Sequence, residues 1–146
     1  MIRQALAAGA VALALAGCGP SAPSMSRMRA QAARVCTRAL ARTSRIPPPN
    51  TPAQTGTFLR SGISALRMEL AQLRKLRAPT DQASAYATAL GAEGRELTIL
   101  AATLHDLDRG ADPLSAINTL ARALTPVEAK EDAAWRTLEV PACLTR

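Results

Sequence analysis

Apolar residues recur along this chain at intervals of three and four in four separate stretches, and polar residues fill the positions between them. That period places the apolar residues of each stretch on one face of a helix. In the first stretch the positions are Met28, Ala32, Val35, Cys36, Ala39 and Leu40; Ser26 is placed to cap a helix running from about Arg27 to Ser44. "IPPPN" at 46–50 ends it, because consecutive prolines lack the N–H groups a helix needs. The second stretch, from about Thr57 to Arg77, carries Leu59, Ile63, Leu66, Leu70 and Leu73. The third and longest, from about Asp81 to Arg109, has a seam of Tyr86, Leu90, Glu93, Leu97, Leu100, Leu104 and Leu107. One carboxylate therefore occupies a core position of the pattern, flanked by Gly91 and Gly94. The glycines suggest a close backbone approach, or room for something beside Glu93.

"RGADP" at 109–113 is a turn: Gly110 closes the third helix, Asp112 caps the fourth, and Pro113 takes its first position. The fourth stretch holds Leu114, Ile117, Leu120, Leu124, Val127, Ala134 and Leu138. Pro126 falls inside it, and Thr125-Pro126-Val127-Glu128 also has the form of a new helix start. The last helix is thus expected to be kinked or split near Pro126. Four amphipathic helices with short links predict an all-α fold, an antiparallel four-helix bundle. Composition agrees: the chain is rich in the helix formers Ala and Arg and has one Phe, one Tyr and one Trp.

The N-terminus follows another pattern. One charge in "MIRQ" precedes the apolar run "ALAAGAVALALAG", which is too short to span a bilayer as a helix. Leu15-Ala16-Gly17-Cys18 then resembles a lipobox, the processing motif of bacterial lipoproteins, and "GPSAPS" follows it as a tether would. The resemblance covers residues 1–18. It implies a signal peptide at 1–17, lipidation of Cys18 as the first mature residue, a flexible tether over 18–25 and a helical domain over 26–146. It also implies attachment to the outer face of the cell membrane, which is the periplasmic side of a membrane in a diderm host. Two acyl chains suffice for stable anchoring.

Setting Cys18 aside leaves Cys36 and Cys143. In an exported, oxidising setting they are expected to form one disulfide; free buried thiols or an intermolecular bridge are the alternatives. Two distant cysteines and a single histidine do not supply a four-ligand metal site. The mature part is similar to small, uncharacterised exported helical proteins of high-GC Gram-positive bacteria. Those carry an early helix cysteine, here in "RVCTRAL", and a cysteine near the C-terminus. Their usual ending is close to Leu-Gly-Leu-x-x-Cys; here it is Leu138-Glu139-Val140-Pro141-Ala142-Cys143, with Glu139 in place of the glycine. The similarity implies the helical fold and the disulfide, and no activity.

Charge is divided unevenly. Residues 18–79 hold 11 basic residues and one acid, Glu69, while residues 80–146 hold 6 basic and 10 acidic residues. The two halves can neutralise each other inside a bundle, or the basic half can meet an anionic partner. Arg27, Arg34, Arg38, Arg42 and Arg45 lie opposite the apolar stripe of the first helix, next to the expected anchor, where they could dock on anionic headgroups. With so few aromatics there is no stacking platform for bases or sugars, and nucleic acid is not an expected partner. No nucleophile motif or phosphate-binding loop is present, so no catalytic residue, metal or cofactor is predicted.

The expected function is therefore that of a lipid-anchored extracytoplasmic bundle with a binding or scaffolding role and no enzymatic activity. The alternative is a small-ligand or metal binder using the bundle interior near Glu93. A remoter one is an enzyme built on His105, the sole histidine, with Asp108 and Asp112 at helical spacing from it.

Overall fold

The computed structural model describes residues 24–145. The signal segment 1–17, Cys18 and all but the end of the tether lie outside them. The described chain is all-α: α1 (Met25–Thr43), α2 (Thr55–Leu73), α3 (Ala83–Asp108) and α4 (Pro113–Thr137), in an antiparallel four-helix bundle. Short 3-10 turns precede α2 (Pro52–Gln54) and α3 (Thr80–Gln82), and a third follows α4 (Pro141–Cys143).

The helix ends correct the sequence reading in detail. Ser24, not Ser26, caps α1: its hydroxyl accepts from the Arg27 N–H, and helix begins at Met25, inside the expected tether. α2 starts two residues early and ends four residues early, because Thr51-Pro52 opens a 3-10 turn that runs into it. There the Gln54 side chain accepts from the N–H groups of Asn50 and Thr51. Asp112 caps α4 as expected, its carboxylate 2.8 Å from the Ser115 nitrogen, with Pro113 at the first position. Pro126 sits inside α4, which runs through it rather than restarting. The carbonyl of Arg122, four residues back, loses its usual donor there; Arg122 is exposed, so water can replace it.

α3 and α4 end in the same hydrogen-bonded turn. After α3, the N–H of Gly110 bonds the Leu107 carbonyl and that of Ala111 bonds the Asp106 carbonyl. After α4, the N–H of Glu139 bonds the Arg136 carbonyl and that of Val140 bonds the Trp135 carbonyl. Both patterns require a residue of positive φ at the exit. Gly110 supplies it at 91° without strain, but at the second site Glu139 adopts 55°. Arg29 of α1 braces the turn, donating from Nε to the Leu138 carbonyl (2.9 Å) and pairing Nη2 with the Glu139 carboxylate (2.6 Å).

That exit aims the tail back along α1. Val140 (1% exposed) enters the core, and Cys143 reaches Cys36 at disulfide distance, with Cα atoms 5.1 Å apart. α1 consequently packs against α2 on one side and against the 141–143 turn on the other. The main core gathers here: Met28, Ala32, Val35 and Cys36 from α1, Leu73 from α2, Tyr86 and Ala89 from α3, Trp135 from α4 and Leu138 at its C-cap. Tyr86 and Trp135 meet edge to face at 6.0 Å, and the Tyr86 hydroxyl donates to the Leu73 carbonyl at 2.6 Å. Leu114 is left exposed despite its place in the expected stripe.

Four measurements check this arrangement. Non-reducing peptide mapping should recover Cys36 joined to Cys143. The Cys36→Ala/Cys143→Ala variant should lose roughly 4–5 kcal/mol of unfolding free energy on the chain-entropy estimate for so long a loop. Glu139→Gly should be more stable than Glu139→Ala by about 1 kcal/mol, since both lose the Arg29 pair and only glycine takes the left-handed exit freely. Finally, burial, with Glu93 adding to it, pushes the Tyr86 phenol well above the ordinary tyrosine value of 10.0. The folded state therefore keeps a proton that the unfolded state releases above that value. Stability should be unaffected below about pH 10 and fall as pH rises above it. Phenolate absorbance, all from this single tyrosine, should appear together with unfolding; a phenolate signal in the folded protein near pH 10 would contradict the placement.

Candidate functional site

A cavity of about 210 Å³ lies between the four helices, on the side of the core away from Met28. Each helix contributes to it through a short run of its inward face. α1 brings Ala39, Leu40 and Thr43, and α2 brings Gly62, Leu66 and Glu69 at spacings of four and three. α3 brings Glu93, Glu96 and Leu100 at spacings of three and four, and α4 brings Glu131. The sulfurs of Cys36 and Cys143 belong to residues of the same wall, so the cross-link forms part of the cavity. The lining thus combines apolar surface with four carboxyl groups drawn from three helices.

Two of those glutamates are buried: Glu93 is 2% exposed and Glu131 is 5% exposed. Glu131 is oriented by Trp135, one helical turn on, whose indole N–H donates to Glu131 Oε1 at 3.0 Å. The cavity wall is therefore wired to the only tryptophan of the chain, and through the Trp135–Tyr86 ring contact to the core. Gly62 leaves space at the wall, since a methyl group added there would meet nothing within 4 Å. Among the described residues no three potential ligands are placed to share a metal ion. The carboxyl groups are distributed around the cavity rather than converging on one point.

Of the residues singled out by sequence, Glu93 does face a cavity, but Gly91 and Gly94 do not line it. A side chain at Gly91 would meet open space, and one at Gly94 would make ordinary contacts with Arg74 and Leu70, so neither glycine marks a close backbone approach. Glu69, Glu96 and Glu131 were legible in principle. Glu131 continues the α4 register Leu120, Leu124, Val127 at a spacing of four and precedes Ala134 by three. Glu96 follows Glu93 by three, and Glu69 follows Leu66 by three.

The His105 grouping does not assemble. His105 is exposed in the last turn of α3 and lines none of the cavities described here. Asp108 pairs with Arg60, and Asp112 is occupied as the cap of α4. On α1, Arg27, Arg34, Arg38 and Arg45 are exposed and Arg42 is half-buried, with one Nη that has no hydrogen-bond partner. None of the five forms a salt bridge among the described residues; the bridges between the basic and acidic halves use Arg29 and Arg60 instead. No helix of the described residues is long and apolar enough to cross a membrane. Comparison with protein-family models, with curated proteins and with solved structures finds no match, so the functional reading rests on this geometry.

Proposed function

We propose that the chain is an exported helical module, anchored through lipid on Cys18, whose interior cavity binds a small organic cation. The observation that carries this reading is the partly open cavity lined by all four helices, with apolar walls and Glu69, Glu93, Glu96 and Glu131 around it. The mixture of surfaces defines the guest. The carboxyl groups offer acceptor oxygens to an N–H donor, and the leucine and cystine walls favour an apolar body. Spread-out carboxyl groups suit an amine with several N–H donors better than a bare metal ion, which needs its ligands at one point. A cavity of about 150 Å³ is large enough for benzene, so this one has room for a protonated aryl- or alkylamine.

Binding next to Glu131 should alter the environment of Trp135, which makes the intrinsic fluorescence of the protein the readout. Titration with benzylamine should change that fluorescence and raise the melting temperature, by several degrees at saturating amine. Benzyl alcohol, similar in shape and neutral, should do neither. Gly62→Leu should fill the cavity, keep or raise the melting temperature, and abolish the amine response. Equal responses to amine and alcohol, an unchanged response in Gly62→Leu, or no response to a series of such amines would each overturn the proposal. The anchor is tested separately: the membrane-fraction protein should lack residues 1–17 and carry added lipid mass.

A further inference from the structure

A second surface feature lies on the opposite side of α1 and α2 from the cavity. A groove of about 250 Å³ is lined by Gln31, Arg34 and Arg38 of α1, by Gln72 in the last turn of α2 and by Lys75 in the turn that follows it, with Val35 and Leu76 completing it. The arrangement repeats across the groove. Gln31 precedes Arg34 by one turn of α1, and Gln72 at the end of α2 precedes Lys75 in the turn after it, so each wall presents an amide and a cation. Arg38, one turn beyond Arg34, adds a third cation. Val35 is buried and Leu76 half-buried, which gives the polar rim an apolar base.

The charge is one-sided. Arg34, Arg38 and Lys75 are exposed, and none of them forms a salt bridge among the described residues. The one acid on α1 and α2, Glu69, lines the interior cavity and is not part of the groove. Arg34 and Arg38 stand at i and i+4, where like charges destabilise a helix by a few tenths of a kcal/mol. A bound anion would reverse that sign. Guanidinium groups offer paired N–H donors that match phosphate oxygens, and the ammonium and amide groups add single donors.

We infer that this groove is a docking site for the phosphodiester headgroup of an anionic membrane lipid. The choice of a lipid over a soluble phosphate rests on the anchored reading given above and on chain length. Seven residue steps separate Cys18 from Met25 and span at most about 25 Å when fully extended. The groove occupies the second to fourth turns of α1, within reach of the surface that such an anchor would hold. The apolar base suits the glycerol and first methylenes of a lipid, for which free phosphate has no use. Docked this way, α1 and α2 lie on the bilayer and the α3–α4 side faces outward.

The test uses the full chain carrying Cys18→Ser, so that no lipid anchor contributes. It should bind vesicles containing phosphatidylglycerol and not vesicles of phosphatidylcholine alone, and the binding should weaken with added salt. Arg34→Gln/Arg38→Gln/Lys75→Gln should lose about a hundredfold in vesicle affinity, as three surface cations at about 1 kcal/mol each imply. Arg67→Gln/Arg74→Gln/Arg77→Gln removes the same charge from exposed positions outside the groove and should lose far less. Equal losses in the two triple variants would show diffuse attraction and overturn the site. So would unchanged binding in the first variant. Displacement of the protein from vesicles by millimolar glycerol phosphate would make the soluble anion the ligand and overturn the lipid assignment. Gly62→Leu should bind vesicles normally, which separates failure here from failure of the interior site; the mass of the membrane-fraction protein separates it from failure of the anchor.

Discussion

The return of the chain after α4 is the constraint on which the rest of the bundle depends. α1 touches α2 along one side, and its other side is covered by the 141–143 turn. Without that tail, Met28, Ala32 and Val35 would lose a wall of their packing, and the cavity would lose the part of its lining that Cys143 and Thr145 supply. Three devices hold the tail in place: the hydrogen-bonded exit through Glu139, the Arg29 brace on Leu138 and Glu139, and the Cys36–Cys143 link. They differ in kind. The Arg29–Glu139 pair is a surface interaction worth a fraction of a kcal/mol to about 1 kcal/mol, whereas a cross-link over so long a loop removes several kcal/mol of unfolded-state entropy.

The same cross-link joins stability to the site. Its two cysteines divide the tightly packed core, with Trp135 at its centre, from the cavity bounded by glutamates. One turn of α4 spans the division: Trp135 packs in the core against Tyr86, while its N–H holds Glu131 at the cavity wall. Buried polar groups of this kind are costly unless satisfied, and a helix bundle of this length had Leu and Ala available for the same positions. Glu93 and Glu131 at core register positions of α3 and α4 bring acceptor oxygens to the cavity wall in place of apolar packing.

Charge is sorted by face as well as by sequence. The basic half of the chain turns its one acid inward and its cations outward, so α1 and α2 present a cationic surface outside and a share of an acidic cavity inside. Mutual neutralisation of the two halves is limited, among the described salt bridges, to Arg29 with Glu139 and Arg60 with Asp108. The proposed roles of the two faces, a cation bound within and an anionic surface met without, follow from this separation and can fail independently.

Local chemistry was enough to predict the four helices, the turn at Gly110 with its Asp112 cap, and the inward face of each helix, because periodicity, proline and glycine act over a few residues. The pairing of Cys36 with Cys143 was also legible, given the expectation of export. Periodicity alone could not tell a helix restart from a proline within a helix at Pro126, nor show that Leu114 is left exposed, because both depend on what packs alongside. It marked Glu93 as unusual but assigned its space to the wrong glycines; Gly62, on another helix, is the one at the wall. Which carboxylates meet, and which cations gather on the other side, is set by how four helices rotate and register against each other. Only the packed bundle determines that, since residues 69, 93, 96 and 131 have no local reason to face a common space.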